Sequence, residues 1–307
     1  MREKIKSNIE QGRYRDRLAV SAAEAYTNRD GGWTDHLLSE NVLFSHREND
    51  YVRGDLQEKL HVHDYYELTL VAGKDSIEYV SEGEHFIAER GMVILSKPNH
   101  FHMFRTSRPL HYDRYVIYFK NEGEIFPMQQ LMRFLRQGTQ AYAIFEGPNE
   151  QLLSCAKSIE RALCSPDAPC ALSEAYLNLC ELFLSLSLYR SPQNPCPDKP
   201  IPNFIGEIKG YIDENYLTID SVSDLAKRFF YSREHISRSF KQYYNTSICE
   251  YILEKKLLSC KRRLKQGEGV ESAARASGFV NLSSFVKVFK SRNGCTPSEF
   301  RSASFGK

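Results

Sequence analysis

Three histidines and a glutamate are the residues of this chain best suited to site chemistry. His61, His63 and Glu67 stand in His-Val-His-Asp-Tyr-Tyr-Glu, and His100 and His102 close the later stretch Gly91-Met-Val-Ile-Leu-Ser-Lys-Pro-Asn-His-Phe-His. If one strand runs through residues 61–67, alternation puts 61, 63 and 67 on the same face. Two histidines, a glutamate and a later histidine can form a metal site. They can equally line a small-molecule pocket, with Tyr65, Tyr66, Tyr79 and Tyr118 adding flat faces and hydroxyls suited to a polar ligand such as a sugar. The reading adopted assigns His61, His63, Tyr65, Glu67 and His102 to a ligand pocket, with no metal and no cofactor. A second set of chemical groups lies near the C-terminus and is cationic. Arg238 and Lys287 each sit beside a phenylalanine, Phe240 and Phe289, and both pairs are 49 residues apart; Ser247/Thr296 and Tyr251/Phe300 keep the same offset. A fixed period of this kind means that one structural unit is used twice.

The elements that position these groups follow from hydrophobic period. Residues 1–40 are polar and mildly helical in pattern. From about residue 41 to 122, segments such as Glu67-Leu-Thr-Leu-Val71 and Tyr115-Val-Ile-Tyr-Phe119 alternate between glycine turns, which predicts a sandwich or small barrel. Residues 123–190 change to helical spacing, with Leu152, Ala156, Ile159 and Leu163 on one face. The next segment (Leu172, Tyr176, Leu177, Leu179, Phe183, Leu184, Leu188) is apolar on nearly all sides, so more than one neighbour must cover it; a second subunit is one candidate. Five prolines between Ser191 and Pro202 mark a linker, and residues 203–307 form a separate unit.

Within that unit, Ser221-Val-Ser-Asp224 is a capping pattern that opens a helix. Ser232 caps the next, whose Ile236, Phe240 and Tyr243 form a core stripe. The opposite face carries Glu234, Ser237, Arg238 and Lys241, hydrogen-bonding and cationic groups of the kind a major-groove reader needs. The second unit repeats this, with Ala273 and Ala274 in its first helix, a turn at Gly278-Phe279, and Phe285, Val288 and Phe289 inward. Leu282, Ser283, Val286, Lys287 and Lys290 are assigned to its reading face. The units span about residues 221–243 and 270–292. A helix of about 19 residues joins them, roughly 28 Å long, close to the ~34 Å between successive major-groove windows. Its Leu253, Leu257, Cys260 and Leu264 are expected inside, and Lys255, Lys256, Lys261, Arg262, Arg263 and Lys265 outside.

Charge agrees with this division. Residues 203–307 hold 18 Lys+Arg against 11 Asp+Glu, whereas residues 1–202 hold 23 against 28. The eight cysteines show no CxxC spacing, and no apolar run suits a membrane span or signal peptide. Cytoplasmic residence with reduced thiols is expected. There is no nucleophile elbow, phosphate-binding glycine loop or HExxH, so no enzyme is expected.

The stretch Gly278-Phe-Val-Asn-Leu-Ser-Ser-Phe-Val-Lys287-Val-Phe-Lys-Ser-Arg-Asn-Gly294-Cys-Thr-Pro-Ser-Glu-Phe-Arg301 resembles the second helix-turn-helix of the AraC/XylS transcription regulators, and the likeness covers about residues 203–303. Lys256 stands where that family usually has Arg, Cys260 where Ala is common, and Leu282 is less polar than expected at a reading position. Residues 41–122 resemble the cupin-like sensor of many such regulators. The resemblance implies an α+β multidomain chain: a cupin-like β-barrel, a helical dimerisation segment, and an all-α domain with two helix-turn-helix motifs. It further implies a homodimer that binds double-stranded DNA, activates transcription through RNA polymerase, and responds to a small-molecule effector such as a carbohydrate. Two alternatives stay open: a cupin-type metal-dependent oxygenase or isomerase fused to a DNA-binding domain, and a regulator with no ligand.

Overall fold

The computed structural model describes residues 26–28, 33–39, 42–51, 60–106, 108–120, 141–145, 149–165, 170–188, 201–219 and 221–305. Ten strands come first: β1 (Tyr26–Asn28), β2 (Trp33–Ser39), β3 (Val42–Tyr51), β4 (Tyr66–Val71), β5 (Ile77–Ser81), β6 (Glu84–Ala88), β7 (Val93–Ser96), β8 (His102–Arg105), β9 (Leu110–Phe119) and β10 (Tyr142–Phe145). Seven form one sheet in the order β1-β2-β3-β9-β4-β7-β10, and three form another, β6-β5-β8. Among the described residues the strands make two sheets, and neither closes into a ring.

Alternation explains why β4 is buried along its whole length. Tyr66, Leu68 and Leu70 join a core formed with Ile117 and Phe119 of β9 and with two helices, α1 (Glu150–Leu163) and α2 (Ala171–Ser187). The next residue along the strand, Val71, faces the other way, into a core shared with Tyr79, Phe86, Ile94 and Phe104 of the two sheets. Glu67 and Thr69 occupy this second face by the same alternation. His46 pins α1 to the sheet: its Nδ1 lies 2.6 Å from Glu160 and its Nε2 2.8 Å from Asp113.

Two boundaries differ from the sequence expectation. The sheet begins at Tyr26, not near residue 41, because β2 pairs with β3 from Trp33↔Arg47 to Ser39↔Val42. Polar Asp35 and His36 are buried there, which breaks the alternation that would announce a strand. Within 123–190, β10 pairs with β7 (Tyr142↔Ser96 to Phe145↔Val93), too short a strand to stand out beside helical sequence. Linker residues 191–200, and most of 1–40, lie outside the described residues.

The C-terminal part is all helix: α3 (Asn203–Asn215), α4 (Val222–Phe229), α5 (Arg233–Tyr244), α6 (Ile248–Lys265), α7 (Val270–Ala276), α8 (Leu282–Asn293) and α9 (Pro297–Phe305). Serine and asparagine caps start four of them, at Ser221 and Ser232 as the sequence indicates. Ser221 accepts from the Asp224 amide, Ser232 from His235, Ser247 from Glu250, and Asn281 from Ser284.

Candidate nucleic-acid interface and histidine cluster

The paired units fold as the repeat requires. In α5, Ile236, Phe240 and Tyr244 are buried; in α8, Phe285 and Phe289 are. The outward faces hold Glu234, Arg238 and Lys241 on α5, and Ser283, Lys287 and Lys290 on α8, all exposed. Ser237 and Val286 are half-buried, and Val286 packs against the core of the second unit together with Val288. Val286 therefore offers the groove less surface than its assignment to the reading face supposes. Leu282 is exposed at the start of α8. Phe230 and Val280, 94% and 91% exposed, stand at the two turns just before the reading helices. Sequence reasoning passed over them because apolar residues at a turn read as core.

The cations divide into two groups. Arg238, Lys241 and Lys287 form no ion pair among the described residues, whereas most of those on α6 are engaged. Lys255 reaches Asp213 of α3, Arg263 pairs with Glu268, Lys265 crosses to Asp64 of the β domain, and Arg262 hydrogen-bonds Asn99 there. The spacer was expected to hold its cations outward; they act mainly as struts. Arg238, Lys241 and Lys287 thus stay open to an anionic partner, whereas Arg292 near the end of α8 is held by Glu250 and Glu254.

His61, His63, Glu67 and His102 converge as a second, buried site. No single strand runs through 61–67, since the chain bends at Asp64-Tyr65 before β4 begins. Instead His61 and His102 face each other across a two-way backbone bridge, His61 N to His102 O 3.1 Å and His102 N to His61 O 3.0 Å. Directly opposed residues put their side chains on one face, and the two imidazole centroids are 4.2 Å apart. The Nε2 atoms of His63, His102 and His61 lie 3.1, 3.4 and 4.0 Å from the same Glu67 oxygen, Oε2. The other oxygen accepts from Thr69 Oγ1 at 3.3 Å. Nδ1 of His63 and of His102 point at backbone carbonyls, Tyr65 O at 2.8 Å and His100 O at 3.1 Å. Tyr65 stacks flat on His63 at 4.0 Å, and Tyr118 meets both rings edge-on. Burial by itself would raise the pKa of Glu67, but His102 and His63 reverse this and hold it well below the carboxylate range.

Comparison with known proteins bears on the helical part most directly. A family profile described as "Helix-turn-helix domain" matches residues 225–303. Residues 225–303 are an AraC-type helix-turn-helix domain. The uncharacterized HTH-type transcriptional regulator YfiF of Bacillus subtilis (strain 168) is 25% identical over 79% of this chain and 78% of its own. The bifunctional transcriptional activator/DNA repair enzyme AdaA of the same organism is 30% identical over 34% of this chain and 50% of its own. The raffinose operon transcriptional regulatory protein RafR of Pediococcus pentosaceus is 33% identical over 30% of this chain. This chain spans most of YfiF, but half of AdaA and a third of RafR. A crystal structure of ToxT from Vibrio cholerae O395 aligns over 86% of this chain and 99% of its own at 15% identity, with a TM-score of 0.37.

The AraC-type domain and the histidine cluster are joined through few residues. Phe101, next to His102, stacks on Tyr251 of α6 with centroids 4.2 Å apart. Val62 and Phe101 belong to one apolar core with Ile205, Ile208, Phe240 and Tyr251. The β5–β6 turn meets α5, since a Cβ on Gly83 would lie 3.0 Å from Tyr244. Glu82 of that turn accepts from the Phe101 amide at 2.7 Å and pairs with Lys209 of α3 at 2.7 Å. Lys209 also holds Asp213, which accepts from the Tyr251 hydroxyl. Among the described residues no helix is long and apolar enough to cross a membrane.

Proposed function

We propose that the protein is a transcription regulator in which α5 and α8 enter successive major-groove windows of double-stranded DNA. The observation carrying this is the pair of capped helices, 49 residues apart, with buried aromatics on one face and, on the other, cations that form no ion pair among the described residues. The 18 residues of α6 that join them make a rod roughly 27 Å long, comparable with the ~34 Å groove repeat. Glu234, Ser237, Arg238 and Lys241 are assigned to the first window, and Leu282, Ser283, Val286, Lys287 and Lys290 to the second.

A homodimer through α2 is supported by Leu177, Leu184 and Leu188, three exposed leucines spaced at helical intervals on one stripe. An effector bound by the β domain, acting by population shift on the DNA-binding domain, is supported by the contacts that link the two. Activation through RNA polymerase and a carbohydrate effector rest on the resemblance, and RafR's name, a raffinose operon transcriptional regulatory protein, supports an operon as the target.

The test begins with DNA selected from a random pool by the full-length protein. Arg238→Ala and Lys287→Ala are each expected to weaken binding to the selected sequence by about 1–3 kcal/mol and to relax discrimination at their positions. A uniform loss with a salt slope shallower by about 1 would place them on phosphates instead. Unchanged affinity in both variants would overturn the reading.

A further inference from the structure

We infer that Phe230 and Val280, which stand just ahead of the two reading helices, are apolar contacts for the 5-methyl groups of thymine. Each major-groove window then selects an A·T pair by hydrophobic contact as well as by hydrogen bonds. This rests on the DNA-reading assignment above and adds to it two residues outside the cationic faces.

The same local structure leads into both helices. In each unit the preceding helix ends in a Schellman turn. The Tyr231 amide donates to the Ala226 carbonyl at 3.0 Å and the Phe230 amide to that of Lys227 at 3.3 Å. In the second unit Phe279 donates to Ala274 and Gly278 to Arg275, both at 3.0 Å. The residue closing such a turn is left-handed, with φ 58° at Phe230 and 80° at Gly278. Glycine is its usual occupant, because a side chain there is strained. The first unit nevertheless carries phenylalanine, a bulky residue that rarely adopts this conformation. The second keeps glycine and places Val280 between the turn and the Asn281 cap. By different means, both turns hold one large apolar side chain out in water.

Exposure sets these two apart. Phe230 is 94% and Val280 91% exposed, against 73% for Leu188, the next among the described residues. Neither belongs to the apolar core of its own unit. A strained backbone at Phe230 with no packing in return points to a role outside the fold.

Position and neighbours point to DNA. A recognition helix brings its N-terminal residues to base edges. Phe230 lies two residues before the Ser232 cap, and Val280 one before Asn281. Around Phe230 the exposed cations are Lys227, Arg228 and Arg233, beside Asp224 and Glu234. Tyr231 is held by ring contacts with Phe204 and His235, centroids 4.9 and 5.5 Å away, so Phe230 projects alone. A single apolar group among cations is not the broad, well-packed face that a protein partner covers. It suits a duplex, where phosphates flank isolated methyl groups. Of the four bases thymine alone presents a methyl in the major groove, and phenylalanine is among the side chains that contact it. In the second unit Leu282, 36% exposed at the first position of α8, extends the surface of Val280. Its low polarity at a reading position has the same explanation.

The experiment uses the full-length chain and its selected DNA, with each thymine replaced in turn by deoxyuridine, which removes only the methyl group. The wild type is expected to lose affinity about fourfold at one thymine in each window, the effect of one methyl group no longer buried. Phe230→Gly is expected to become indifferent to the replacement in the first window and to keep the response in the second, and Val280→Ala the reverse. Glycine suits the left-handed turn, so Phe230→Gly is expected to melt no lower than wild type, which separates lost contact from lost fold. A selected sequence without thymine in either window, wild-type binding indifferent to deoxyuridine throughout, or variants that keep the full wild-type response overturns the inference. Arg238→Ala and Lys287→Ala are measured on the same DNA. If they weaken binding while methyl removal does nothing, the DNA-reading assignment stands and the apolar contact falls. If the protein selects no sequence, the assignment itself falls.

Discussion

The two helix-turn-helix units are copies in sequence and opposites in surroundings. The first shares its core with the β domain, where Val62 and Phe101 pack among Ile205, Phe240 and Tyr251. Its edge meets the β5–β6 turn at Gly83, and Asn245, just past α5, accepts from Arg105 of β8 at 2.8 Å. The second is built from Leu257, Cys260, Leu264, Ala273, Ala274, Phe285, Phe289 and Phe300, all from its own domain. Duplication gives both units the means to read DNA, but only the first shares an apolar core with the β domain; the second meets it through the polar contacts of Lys265 and Arg262. The difference locates control at α5 and α6.

The largest effect that would break this comparison comes from Phe101→Ala. Phe101 is 2% exposed and stacked on Tyr251, so truncation is expected to cost about 3–5 kcal/mol. Calorimetry should then resolve separate transitions for the β domain and the helical domain, with DNA binding retained. A single transition with an unchanged midpoint would mean that the interface contributes little.

Acid should produce the next effect. Burial alone would raise the pKa of Glu82, but His100 and Lys209 more than reverse this and bring it from 4.5 to about 2. A depressed carboxylate contributes stability that is present above its unfolded pKa and lost as pH falls through the folded one. The window is therefore pH 4.5 down to about 2, and the contribution is on the order of 3 kcal/mol at roughly 1.4 kcal/mol per unit. Urea melts at pH 6 and pH 3 should show wild type and Glu82→Gln far apart at the higher pH and converging at the lower. Parallel curves across that range would remove Glu82 from the list of domain clamps.

What could be read in advance follows the same division. The second unit was legible because its signals are local: Ala273 and Ala274 in the first helix, the phenylalanines at 285 and 289, and Gly278 at the turn. The first was equally legible as a unit, yet nothing in Tyr251 or Lys265 announces a partner in the β domain, about 150 and 200 residues earlier in the chain. The histidine cluster was legible as a set of residue types. Its organisation was not, because the His61–His102 bridge is a pairing between segments 41 residues apart, and strand alternation through 61–67 was the wrong geometry for it. The cations of α6 looked like a solvated face, since sequence cannot show that Asp64, Asn99 and Asp213 lie opposite them.

The smallest predicted effect sharpens the contrast at the turns. Gly278 has φ +80°, and a Cβ there would lie 2.9 Å from the Leu217 carbonyl oxygen and 3.0 Å from the Lys256 side chain. Gly278→Ala therefore combines a left-handed backbone with a backbone clash, and a cost of about 1–3 kcal/mol is expected. In the first unit the left-handed residue is Phe230, φ 58°, which already carries a side chain in open solvent. That turn can hold a non-glycine residue because no neighbouring backbone approaches it in the way Leu217 approaches Gly278. If the second unit folds independently of the β domain, the loss in Gly278→Ala should appear in hydrogen exchange of α7 and α8 while amides around Phe101 and Tyr251 keep their protection. Equal loosening at both places would mean that the units melt together, and that the first is not held separately by the β domain.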